Sequence, residues 1–289
     1  MSLPNLPDFD ALWDYSKPEQ TETKFLELLP QFPEEDPARL ELLTQIARAQ
    51  GLQREFNDAH LTLDQVENQL SIESSRARVR YLLERGRVFN SSKHPEEARP
   101  FFEQALTMAQ ELNEDFYAVD AAHMLAIVAD PASSLDWNLR AIQMAESSGQ
   151  EKARGWLGSL YNNTGWSYHD TGDFESALKI FEKAESYFRE VRREDRLRIA
   201  QWSVARCLRS MDRVDEALSK QLALKAEFDS IGGSDGYVEE EIGECLLLLK
   251  RDSEVKAYFA KAYELLSQDE WMMENEPERM KRIKELGGL

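Results

Sequence analysis

A small residue returns at nearly constant spacing along this 289-residue chain: Ala47, Gly86, Ala126, Gly165, Ala205 and Gly243, in steps of 39, 40, 39, 40 and 38. The stretch around Gly165 reads as one helical hairpin. Gly165 lets a neighbouring helix approach, Tyr168 fills the space beside it, and Gly172-Asp173 turns the chain into a second helix with Ala177, Phe181 and Ala184 on one face. Twelve residues after each small residue come Ala59, Ala98, Ala177, Ala217 and Val255, and four further on come Leu63, Phe102, Phe181, Gln221 and Phe259. The two columns agree, so the unit is repeated. The third hairpin departs: Asn138 stands in the alanine column and Pro131 ends the first helix early, which predicts a second helix shifted by a few residues.

The run Tyr161-Asn162-Asn163-Thr164-Gly165-Trp166-Ser167-Tyr168, continued by Ala177 and Phe181, resembles the tetratricopeptide repeat. That family's pattern is an aromatic, two residues, Leu-Gly, two residues, Tyr, then Ala, three residues and Phe; here Thr164 replaces the Leu. The resemblance implies an all-α, right-handed superhelical solenoid of antiparallel helix hairpins. Six hairpins occupy residues 37–270, after an acidic, proline-broken arm or cap at 1–36 and before a C-terminal capping helix at 271–289. The family's usual repeat is about 34 residues. The longer period here implies longer helices or turns. Stability should rest on contacts between neighbouring hairpins.

The family's function is to hold a protein or an extended peptide in a concave groove lined by the first helix of each hairpin, without catalysis. Groove positions lie three before and one or four after the small residue. Carried over, they include Arg48, Arg87, Asn162, Trp166, His169, Trp202, Arg206 and Arg209. Such arginines can grip a carboxylate at two points and the tryptophans are flat apolar anchors, so an acidic, aromatic peptide would fit. The rival reading pairs these arginines with carboxylates on neighbouring helices. The carboxylate clamp that some family members use for chaperone tails is not matched, since Thr44 with Arg48, Leu83 with Arg87, and His123 with Ile127 stand at its positions. A peptide-responsive regulator, whose superhelix changes on binding, is the alternative function; no helix-turn-helix effector module is evident in residues 1–36.

Residues 1–36 carry Pro4, Pro7, Pro18, Pro30 and Pro33 and nine acidic residues against Lys17 and Lys24. Two short helices are expected there, one presenting Phe9, Leu12 and Trp13 and one presenting Phe25, Leu28 and Leu29. Opposite charge suggests that Asp8 to Asp14 dock on Arg206, Arg209 and the two tryptophans, in the same chain or by self-association with a second copy. At the other end, Lys281, Arg282 and Lys284 suit the C-terminal dipole of a helix starting near Pro277 and sealed by Met280, Ile283 and Leu286.

A net charge of −19 argues against nucleic acid or an anionic membrane as the partner. Without a basic leader or a run of about 20 apolar residues, a cytoplasmic location is expected. No cofactor is called for. Gly232-Gly233-Ser234-Asp235-Gly236 matches G-x-S-x-G, but the preceding residues read as helix where a nucleophile elbow needs a strand. His60, His94, His123 and His169 lack metal-ligand spacing. Cys207 and Cys245 stand at equivalent places on successive hairpins, which fits small buried side chains better than a disulfide. An enzyme is thus the last reading.

Overall fold

The structure of the chain, a computed structural model, describes residues 8–34, 36–71 and 75–289. Pro4, Pro7 and Glu35 of the acidic segment lie outside them. Among the described residues every regular element is helical. A 3-10 turn at Phe9–Leu12 leads to α1 (Pro18–Leu28) and a second turn at Leu29–Gln31. Helices then follow in pairs: α2 (Pro37–Leu52) with α3 (Phe56–Gln69), α4 (Ser75–Ser91) with α5 (Pro95–Glu111), and α6 (Asp115–Val128) with α7 (Pro131–Ser147). After the single turn α8 (Glu151–Arg154) come α9 (Leu157–Asp170) with α10 (Phe174–Glu190), α11 (Glu194–Ser210) with α12 (Val214–Ser230), and α13 (Gly236–Leu248) with α14 (Asp252–Leu266). The short α15 (Glu270–Asn275) and α16 (Pro277–Leu286) end the chain.

Local chemistry starts and stops these helices. Proline opens α1, α2, α5 and α16, where its missing N–H costs nothing. Asp36, Asp173, Asp235 and Asp269 cap α2, α10, α13 and α15 by accepting from backbone N–H groups of the first turn. Most helices end in a residue of positive φ whose successor donates its N–H five residues back. Asp173 N bonds Tyr168 O at 3.0 Å around Gly172 (φ 82°), and His94 N bonds Phe89 O at 2.9 Å around Lys93 (φ 71°).

The chain divides into two compact units, Met1–Leu160 and Tyr161–Leu289, with the boundary inside α9. In each, the small-residue column faces the large-residue column. A Cβ on Gly86 would meet the Phe102 ring at 2.5 Å, one on Gly243 would meet Phe259 at 2.8 Å, and one on Gly165 would run into Phe181. Those three rings are fully buried. Where the small residue is Ala47, the matching position in the second helix holds the smaller Leu63; where it is Ala205, it holds Gln221, buried with neither amide atom hydrogen-bonded among the described residues. The third pair keeps the register. Although α7 begins at Pro131, Asn138 is buried in the alanine column and Ile142 in the phenylalanine column, with Ala145 three residues on. The expected shift is seen at the start of α7, five residues after Ala126 where the other second helices start nine after their small residue; four residues are about one helical turn, so the same face stays buried.

In unit 1 the acidic segment is part of the core: Phe9 (2 % exposed) packs edge-on to Phe32 at 5.6 Å, and Phe25 is fully buried. In unit 2, α16 buries Met280 and Ile283, and Gly287 lies against the backbone of Ala260. Of its basic residues Lys284 stands in the last turn, as expected for the helix dipole, while two arginines are drawn to a neighbouring helix. Arg282 pairs instead with Glu244, and Arg279 with Glu240 at 2.6 Å, both on α13, because α16 lies along that helix's carboxylates.

Candidate binding faces of the first helices

Unit 1 presents Arg48 on α2 and Arg87 on α4, and neither is free. Arg48 Nη1 donates to Glu84 Oε1 at 3.1 Å, and Arg87 Nη1 donates to the same oxygen at 2.6 Å. The other arm of Arg87 holds Asp120 of α6. Glu84 and Asp120 are buried at 3 % and 5 % exposure. A charge chain thus runs across three successive first helices. One to two turns nearer their N-termini lies a second set, Glu41 and Arg80 (4.0 Å apart), with Arg80 also donating to the Tyr117 hydroxyl. Burial pushes the Glu41 carboxyl and the Tyr117 hydroxyl up from their ordinary values. His123 stands beside Trp156 (ring centroids 5.5 Å), its imidazole kept below the usual value first by burial.

The chain's own N-terminal segment covers this face. Asp10 accepts from Arg80 Nη2 at 2.6 Å and from Lys152 Nζ at 2.6 Å, and Lys152 also reaches Asp8 at 3.1 Å. Trp13 donates its indole N–H to Gln45 at 2.9 Å and stacks on Tyr15 at 4.7 Å, while the Arg48 guanidinium lies over both rings. This corrects the expectation that Asp8 to Asp14 dock on Arg206 and Arg209 of the same chain. Asp8 and Asp10 are held by unit 1 cations, and Asp14 bonds Ser16 at 2.6 Å.

Unit 2 presents a ladder of rings. Trp166 of α9 and Trp202 of α11 have centroids 5.9 Å apart, and Trp202 and Tyr237 of α13 lie 6.1 Å apart. The Trp202 indole N–H donates to Tyr237 O at 3.2 Å, fixing its tilt. Both tryptophans are half-buried and Tyr237 is 36 % exposed. Beside them Arg209 grips Glu241 with two bonds of 2.7 and 2.9 Å, and Arg206 Nε shares that carboxylate at 3.0 Å while donating to Ser210 at 2.6 Å. Two guanidiniums thus lean on one buried carboxylate. Burial, aided by the charge of Arg209, presses the Arg206 guanidinium below its ordinary value, while bonds to Glu241 hold Arg209 above its own. His169 contacts Ser210 at 2.9 Å and packs on Trp166 at 5.0 Å; burial keeps it neutral-leaning. Asn162 lies half-buried one and two turns before them on α9, bonded only weakly to Asn163 at 3.4 Å.

Sequence positions thus bring the unit 2 residues together, but the partners that hold the arginines, Glu84, Asp120 and Glu241, were absent from the expected set. A signal existed: Glu84 follows Arg48 by 36 residues, and Glu241 follows Arg206 by 35. Among the described residues no group of His, Cys, Asp and Glu could hold a metal ion, and Ser234 sits in the exposed loop between α12 and α13. Burial pushes the Cys207 thiol up to about 11 and the Cys245 thiol up to about 12, so both stay protonated and unreactive near neutrality. No helix among the described residues is long and apolar enough to cross a membrane.

These paired helices, with a small residue of one packed on a large apolar residue of the next, define a helical-repeat protein. Residues 79–112 and 158–190 match the family model of the tetratricopeptide repeat, and they coincide with the pairs α4–α5 and α9–α10. Those two stretches of the chain are thus tetratricopeptide repeats. No curated protein matches it by sequence. Among solved structures it is similar in fold to the apo form of RapI, at 13% identity and a TM-score of 0.73, over 89% of this chain and 73% of that one. It is similar also to a signal-transduction ATPase with numerous domains and a tetratricopeptide repeat sensor from Pyrococcus horikoshii, at 15% identity and a TM-score of 0.71, covering 92% of this chain but 41% of that one. A third is NprR in complex with its cognate peptide NprX, at 14% identity and a TM-score of 0.51, over 98% and 85% of the two chains.

Proposed function

We propose that the chain is a non-catalytic protein-interaction module that holds an extended peptide across the first-helix face of unit 2. The observation that carries this reading is the ladder Trp166, Trp202 and Tyr237 on three successive first helices, half-exposed and fixed in tilt. Aromatic rings of this kind anchor apolar side chains at little entropic cost. Arg206 shares Glu241 with Arg209, so the cluster has one guanidinium more than carboxylate at that point and favours a ligand with an acidic residue beside its apolar one. The fold-level relative crystallised with a cognate peptide supports the class of ligand. The net charge of −19 speaks against nucleic acid and anionic membrane, which fits a cytoplasmic adaptor.

The test is a peptide array probed with the wild-type chain and with a Trp166→Ala, Trp202→Ala variant. Peptides retained by the wild type and lost by the variant, at equal helix content by circular dichroism, establish the face and read out its preferred residues. The same peptides on both would remove the ladder as the site.

A further inference from the structure

Residues 9–15 lie on unit 1 in the manner of a bound ligand. They are gripped through side chains: Phe9 buried against Phe32, Trp13 edge-on to Phe25 with its indole N–H on Gln45, Asp10 in the fork of Arg80 and Lys152, and Arg48 over the Trp13 and Tyr15 rings. The segment's backbone bonds stay local, from Ala11 N to Asp8 O, Trp13 N to Asp10 O and Asp14 N to Thr21 Oγ1. Among the described residues none reaches α2, α4, α6 or α8. The slot for Asp10 is built for a carboxylate. Arg80 is 4 % exposed and donates to the Tyr117 hydroxyl, its other carboxylate neighbour among the described residues, Glu41, stands 4.0 Å away, and Lys152 adds a second cation. A buried guanidinium with so distant a partner gains strongly from one more carboxylate.

We propose that this face of unit 1 is a second peptide site, separate from the aromatic ladder of unit 2. Its ligand is a segment of another protein with a carboxylate three residues before an aromatic ring, the spacing of Asp10 and Trp13, and residues 9–15 are its built-in competitor. The outer part of the segment is open to exchange, with Tyr15 58 % exposed and Lys152 45 % exposed, whereas the buried Phe9 is the anchor a ligand must also displace and Phe25 still holds α1 to the core. The ligand therefore meets a site whose occupant is tethered at high effective concentration, so partner binding is held weak until the segment is displaced.

The experiment uses the full chain carrying Asp10→Ala and Trp13→Ala, with a fluorescein-labelled peptide of residues 8–16 as the probe, read by fluorescence anisotropy beside the wild-type chain. The substituted chain is expected to bind the probe at least about tenfold more tightly than wild type. Adding Lys152→Glu should return binding to the wild-type level, as should an Asp10→Ala probe. A Trp202→Ala chain should leave this readout unchanged, which separates it from the unit 2 reading. Equal, weak binding to both chains at unchanged helix content overturns the proposal. So does a loss of helix or of cooperative melting in the substituted chain, which would make the segment a structural cap. A wild-type dimer that dissociates on substitution would also overturn it, by naming a second copy as the occupant.

Discussion

Glu84 shows what an arginine on a first helix is for in this chain. It is 3 % exposed and accepts from both Arg48 and Arg87, so it holds α2 and α4 together and, through Arg87 and Asp120, reaches α6. Burying ions is costly, and that cost is offset only while each charge keeps its partner. Glu84→Ala would leave two inward-facing guanidiniums with one carboxylate between them. The expected loss is about 3–5 kcal/mol of unfolding free energy, measured by urea denaturation. A loss below about 1 kcal/mol would mean that these arginines behave as solvated charges, free for a ligand. The reading of Arg48 and Arg87 as groove grips thus gives way to their neighbours. In unit 2, Arg206 retains a partial claim because it shares its carboxylate.

Between elements, the size of one residue dictates that of another. Glycine faces phenylalanine at 86/102, 165/181 and 243/259, while alanine is matched by leucine at 47/63. Gly165→Ala gains roughly 1 kcal/mol in helix propensity but drives a methyl group into the Phe181 ring, and overpacking costs about 1–3 kcal/mol. The variant should therefore melt lower than wild type. Phe181→Leu in the same chain should recover the loss by reproducing the Ala47/Leu63 pairing, and the double variant should be more stable than Phe181→Leu alone, which leaves a cavity. Simple additivity of the two changes in thermal melts would show that the columns do not touch as described.

Over the whole molecule, the histidines set a direction of pH dependence. His60, His123 and His169 are each held below the ordinary 6.5, first by burial, with Arg85, Arg87 and Arg206 adding repulsion. Their folded forms resist protonation that the unfolded chain accepts. Stability is therefore present above the ordinary value and lost as pH falls through it. Thermal midpoints should be lower at about pH 5.5 than at about pH 7.5, and His123→Gln should shrink the difference. An unchanged gap would remove His123 from the account. Glu41, raised by burial, works in the opposite sense.

Much of this fold was legible in the sequence because hairpin packing is encoded locally. The small and large columns, the proline starts and the aspartate caps each act within one helix pair, where helical periodicity fixes which residues meet. Trp166, Trp202 and Arg206 were legible for the same reason. What lay beyond reach depends on how one pair stacks on the next. Asp10 finds Arg80 at a distance of 70 residues, which follows from no helical period, while the 36 residues from Arg48 to Glu84 lie near the repeat spacing but do not say which of the nearby carboxylates the arginine takes. The sequence by itself determined the repeating hairpin. Only the tertiary structure decided which charges neutralise one another and which unit the N-terminal segment covers, because those outcomes turn on side-chain geometry between helices far apart in the chain.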